Sequence, residues 1–127
     1  MNTNNKPFMY MVGYDREFKK NCQTGWGCGY VAIPLEHPAA AAHFERLKAD
    51  KLKEQEASED YYFYVSPYFE INGLEEETTY TETVKINDVD YLVFGFDTAH
   101  SWNSEADDFN FVFKQTNKHL ELINNYK

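Results

Sequence analysis

Residues Val89 to Phe96 read Val-Asp-Tyr-Leu-Val-Phe-Gly-Phe, a run with almost no polar interruption. It is far shorter than the roughly 20 apolar residues of a membrane span. Its β-branched and aromatic content marks a strand. A strand that is apolar on both of its alternating faces belongs inside a sheet, covered above and below. The chain must therefore supply neighbouring strands and something to lie on them. Asn87-Asp88 precedes the run, and both residues tolerate positive φ, which suits a two-residue hairpin turn. Thr78 to Ile86 then alternates as the hairpin's other arm, with Tyr80, Val84 and Ile86 on one face.

The rest of the chain divides into similar pieces. Met1 to Pro7 is a polar tail expected to be loosely ordered. Phe8 to Tyr14 reads as a first strand, and Asp15 to Thr24 as a polar loop with room for a helical turn. Gly25-Trp26-Gly27-Cys28-Gly29 leads into a strand expected from Tyr30 and stopped by Pro34, which has no ladder donor. His37-Pro38 opens a helix, with Pro38 at the first helical position and Ala40, Phe44 and Leu47 on one stripe. Its continuation through Lys48 to Asp60 is almost wholly charged and is expected to be exposed. Tyr61 to Val65 and Tyr68 to Ile71 carry further strand signals, and Asn72-Gly73 marks a turn. The last helix is expected to be capped by Ser104 with Asp107 in a capping-box-like position. Trp102, Ala106, Phe109, Phe113, Thr116, Leu120 and Ile123 form its buried stripe. The reading is one α+β domain over residues 1–127, a mainly antiparallel sheet with two helices packed on one face.

Charge narrows the function. Twelve basic residues against twenty-one acidic ones leave −9, too few cations for the footprint of a general nucleic-acid binder. No apolar stretch reaches membrane length, and Met1 to Phe8 lacks the apolar core of a secretion signal, so a cytoplasmic location is expected. Cys22 and Cys28 lack the spacing of a structural zinc site and read as free thiols.

Four constellations can carry chemistry. Asp97 and His100 stand where the best strand ends, and supply a carboxylate and an imidazole. Their bland reading is loop hydrogen bonding and packing at the sheet edge. Adding His37 would make a two-histidine, one-carboxylate ligand set, although no metal is assigned. The backbone amides around Gly27 and Gly29 can approach an anion, or these glycines can simply make room for neighbouring bulk. Tyr61, Tyr62, Tyr64 and Tyr68 are too crowded to be all buried, and their exposed rings can stack on a base or anchor a protein interface, or simply cover one sheet face or a homodimer contact. Finally, Glu54 to Asp60 and Glu75 to Glu77 are solvated surfaces or a decoy for a basic partner.

Gly29-Tyr30-Val31-Ala32-Ile33-Pro34, His37-Pro38 and Gly95-Phe96-Asp97-Thr98-Ala99-His100 resemble the G-Y-V-x-[IV]-P, H-P and G-F-D-x-A-H segments of a group of small phage and prophage proteins. The group's V-H-G-G-[IL]-T-[FY] segment has its nearest counterpart in Ile71-Asn72-Gly73-Leu74 and Thr79-Tyr80, with Asn72 in the place of the histidine. The resemblance implies a phage setting, in which small acidic proteins counter host defence by capturing a cyclic nucleotide signal or by blocking a defence enzyme. It also implies a pocket shared by Tyr30, His37, Asp97 and His100.

These readings lead to a binding protein more readily than to an enzyme. The expectation is a counter-defence sponge for a small anionic ligand, such as a cyclic nucleotide immune signal, in the host cytoplasm. Its site would draw on Trp26, Gly27, Gly29, Tyr30, His37, Asp97, His100 and Trp102. No cofactor is required, and a homodimer or higher homo-oligomer could complete the site with cations from a second chain. An acidic protein–protein inhibitor of a host nuclease or nucleic-acid-binding protein is the first alternative. A small hydrolase using Asp97 and His100 is the second.

Overall fold

In the computed structural model, which describes residues 5–21, 24–56, 66–74, 78–100 and 103–126, the element order is β1 (Phe8–Gly13), α1 (Arg16–Asn21), β2 (Gly27–Pro34), α2 (Pro38–Glu56), β3 (Tyr80–Ile86), β4 (Val89–Asp97) and α3 (Phe109–Asn124). The four strands form one antiparallel sheet in the order β1-β2-β4-β3, so β4 lies inside it as its apolar run requires. The β3–β4 hairpin turns on Asn87 and Asp88 at φ 50° and 65°, both left-handed, which matches the twist of the arms.

Alternation then assigns each side chain to a face. Val31 and Ile33 of β2 with Leu92 and Phe94 of β4 meet Ala39 and Ala40 of α2 and Ile123 of α3, with Phe69 between. Phe69 and Phe94 stack with ring centroids 4.3 Å apart. Both long helices thus cover the same face, as the α+β reading requires. On the opposite face Ala32, Tyr91 and Val93 lie beneath Phe8, Tyr10, Tyr30, Tyr80, Val84, Ile86 and Val89.

Several local expectations are corrected. Strand β2 begins at Gly27 rather than Tyr30, because its glycines make room for what lies across them. A Cβ at Gly29 would overlap the Thr116 hydroxyl and the Phe96 ring, so α3 approaches β2 closely only if that position has no side chain. Tyr68 to Ile71 is not a strand. The Phe69 N–H donates to Thr81 Oγ1 (2.7 Å), the Thr78 hydroxyl donates to the Phe69 carbonyl (2.8 Å), and the Arg46 guanidinium holds the carbonyls of Ser66 and Tyr68 (3.2 and 2.7 Å). Side chains thus take up the Phe69 N–H and C=O and the Tyr68 C=O, groups that a ladder partner would otherwise satisfy. The turn at Asn72-Gly73 is present, with Gly73 at φ 98°. The expected strand at Tyr61 to Val65, the acidic loop Glu75 to Glu77, Cys22 and Trp102 lie outside the described residues.

Both helices are rotated relative to the expected stripes. In α2 the inward positions are Ala39, Ala40 and His43, while Phe44 is 40% exposed. The His43 ring lies 5.6 Å from that of Phe69, and Arg46 one turn on reaches the 66–68 segment, so this face meets the chain passing beneath it. Helix α3 starts at Phe109 under an Asp108 cap, whose carboxylate accepts the Phe111 N–H, rather than at Ser104. Ser104 and Asp107 do exchange hydrogen bonds, but they close a single turn. The Asp107 carbonyl accepts the Trp26 N–H (2.8 Å) and so is spent on the approach to β2. The buried stripe of α3 is Val112, Thr116, His119 and Ile123, and Phe109 and Phe113 are about half exposed.

Candidate functional site

The register places Asp97 opposite Cys28, where β4 ends and the chain leaves the sheet. His100 Nε2 lies 2.9 Å from Asp97 Oδ1, and each side chain keeps about a third of its surface exposed. The same carboxylate accepts the Ala99 N–H (3.2 Å), and the His100 N–H donates to Asn103 Oδ1 (2.9 Å). The loop thus holds carboxylate and imidazole together without burying them, an arrangement able to move a proton or orient a polar ligand.

Beneath this pair the sheet end is tied shut. The buried Thr98 hydroxyl donates to the Gly27 carbonyl (2.7 Å) and accepts the Gly27 N–H (3.1 Å). The Tyr14 hydroxyl accepts the Thr98 N–H (3.1 Å) and faces Cys28 Sγ at 3.6 Å. Burial, followed by the thiol contact, pushes the Tyr14 phenol up to about 12 despite the opposing Thr98 N–H. Burial and the same thiol also raise Tyr30. Both phenols therefore stay neutral and offer hydroxyls rather than charge.

Tyr14 also lines a surface hollow of about 550 Å³ with Arg16, Lys19 and Lys20. Asp15 caps α1, its carboxylate accepting the Phe18 N–H (2.8 Å), which sets these three cations around the tyrosine. Lys20 is also 3.4 Å from Glu17, with both side chains largely exposed. In a chain carrying −9, a quarter of the basic residues fall within five positions. The hollow is tied to the end of β4 through Tyr14, whose hydroxyl accepts the Thr98 N–H, but neither Asp97 nor His100 lines it.

The other expected site residues are scattered. Tyr30 lies on the open face, stacked on Tyr10 (5.0 Å) and edge-on to Tyr80 (5.4 Å), over Gly95, where a Cβ would strike its ring. The Tyr80 hydroxyl is 2.6 Å from Glu82, and that carboxylate contact, with burial second, pushes the phenol up to about 12. The Gly27 amide is committed to Thr98, and Gly29 lies under α3, so neither offers its backbone as an anion cradle. The Trp26 ring meets Phe109 edge-on at 5.1 Å, at the start of α3.

His37 is a helix cap. Its carbonyl accepts the N–H groups of Ala40 and Ala41, and Nδ1 accepts that of Ala39 (each 3.1 Å). Burial lowers its pKa, with Glu36 acting weakly the other way, which favours the neutral ring that a cap acceptor requires. It follows Pro34, six residues along β2 from Cys28, roughly 20 Å at the usual strand rise. The two-histidine, one-carboxylate set and the four-residue pocket are therefore not assembled. Among the described residues no three His, Cys, Asp or Glu side chains group as metal ligands.

The site thus includes Tyr14, Arg16, Lys19, Lys20 and Thr98, none of which was singled out in the sequence. Its one sequence signal was the local density of cations, which totals over the whole chain conceal. No helix among the described residues is long and apolar enough to cross a membrane. No protein-family model matches the chain, and no curated protein or solved structure is significantly similar to it.

Proposed function

We propose that this protein binds a small phosphate-bearing ligand at the β1–α1 end of the sheet. The observation that carries this reading is the hollow of about 550 Å³ lined by Tyr14, Arg16, Lys19 and Lys20. Its size suits a small-molecule site, and its cations oppose the sign of the rest of the chain. Arg16 can grip a phosphate through a guanidinium fork, Lys19 and Lys20 add charge, and the neutral Tyr14 phenol adds a hydroxyl. The Asp97–His100 pair flanks Thr98, whose N–H donates to the Tyr14 hydroxyl, and a ligand that extends past Tyr14 would meet its imidazole. With the resemblance to small phage proteins, this supports capture of a nucleotide signal as a counter-defence role.

The test is calorimetric titration with cyclic di- and trinucleotides, with inorganic phosphate as a reference. Arg16→Ala combined with Lys19→Ala should weaken nucleotide binding at least tenfold, with unfolding unchanged. Unaltered affinity in that double variant would refute the assignment of the hollow. A second reading, hydrolysis, is favoured by the 2.9 Å contact between Asp97 and His100. Chromatography of ligand recovered after incubation separates the two: intact nucleotide means capture, and fragments that disappear with His100→Ala mean turnover.

A further inference from the structure

Independently of any ligand, β1 has the make-up of a strand that pairs outward. We propose that its outer edge is an interface with a second copy of this chain, joined antiparallel into one continuous sheet. Among the described residues β1 pairs only with β2, so it forms one edge of the sheet. The Tyr14 N–H donates to the Trp26 carbonyl (2.9 Å), and antiparallel pairing alternates. Phe8, Tyr10 and Val12 therefore turn their backbone groups toward β2, and Met9, Met11 and Gly13 turn theirs outward.

Solitary sheets protect such an edge with lysines, prolines or bulges, because an unpaired row of N–H and C=O groups recruits another strand. Phe-Met-Tyr-Met-Val-Gly contains no charge, and only Pro7, at its entry, lacks a donor. Val12 is 51% exposed. On the helix side the edge is bordered by Trp26, whose ring lies against Gly13, and by Phe109 and Phe113 of α3, which are 49% and 46% exposed. The strip is neutral and apolar although the chain carries −9.

These features select the occupant. The edge requires an extended backbone, the cations nearest in sequence, Lys6 and Arg16, lie outside the strand, and a neutral strip is where two chains that each carry −9 meet with least repulsion. Strand β1 itself meets every requirement. A two-fold axis at Met11 places it opposite the partner's Met11, and Met9 opposite the partner's Gly13, so that about six backbone hydrogen bonds form. The two α3 helices then lie on the same face, with Phe109 and Phe113 along the join.

Sedimentation equilibrium of the full chain, from about 1 to 500 µM, should show a monomer–dimer equilibrium. Met11→Pro removes an outward N–H and spares the ladder to β2. It should weaken the dimer at least tenfold, as should Val12→Lys, which places a charge at the exposed end of the strip. Hydrogen exchange guards against a misfolded variant: in the native chain the Met9, Met11 and Gly13 amides should become protected as concentration rises. A monomer throughout the range would overturn the proposal. So would a dimer indifferent to both substitutions, or outward amides that exchange rapidly at every concentration.

Discussion

The two faces of β4 are built on different principles. Leu92, Phe94 and Phe96 are essentially inaccessible, and Phe94 and Phe96 interlock with rings from Phe69 and His119. Interleaved with them in sequence, Tyr91 and Val93 are covered by partly exposed rings and aliphatic side chains of the sheet. Even the glycines differ in purpose: Gly29 lets a helix come close, and Gly95 lets the Tyr30 ring lie flat. The helix face is closed by residues of two helices and by Phe69. The tyrosine face is closed only by partly exposed rings and aliphatic side chains of the sheet's own strands.

Substitutions should separate the faces. Phe94→Ala removes a ring stacked on Phe69 and leaves a cavity between helices, and should cost about 4 kcal/mol in urea unfolding. Gly29→Ala forces α3 away from β2 and should cost about 3 kcal/mol, seen in the same titration. Tyr30→Ala strips the ring between Tyr10 and Tyr80 but leaves solvent able to fill the gap, and about 2 kcal/mol is expected. A loss for Tyr30→Ala as large as that for Phe94→Ala would erase the distinction.

A pH series probes the helix face through His43. Burial, and secondarily the Arg46 charge, lower the His43 pKa below its ordinary 6.5, while Glu70 acts in the opposite sense. The folded state then binds fewer protons than the unfolded one, so this stability is present above about pH 6.5 and declines as pH falls. Thermal unfolding followed from neutral to mildly acidic pH should show that decline. His43→Phe should make its slope shallower, because His37, lowered in the same direction, remains. An unchanged slope would remove His43 from the account.

Much of this arrangement was legible in the residues. The Asn87-Asp88 turn, the central place of β4 and the helix opening at His37-Pro38 all followed from local backbone chemistry. The rotation of the helices did not, because their inward positions include His43 and His119, whereas Phe44, Phe109 and Phe113 face outward. Hydrophobicity alone reverses that choice. The glycine run read as a lead-in because its reason, Thr116, lies on the last helix. Asp97 and His100 could be paired from their spacing. The separation of His37 from them could not, since it depends on register along β2.

The Thr98–Gly27 bridge has a kinetic consequence. It joins positions 71 residues apart, whereas the β3–β4 hairpin closes over a two-residue turn. Closing a long loop costs more chain entropy and brings its reward late, so the hairpin is the expected nucleus and the β2–β4 seam the final step. Disturbing the turn at Asn87 should then slow refolding. Thr98→Val should leave the refolding rate nearly unchanged and hasten unfolding, so the residue that secures the candidate site would govern how long the native state lasts.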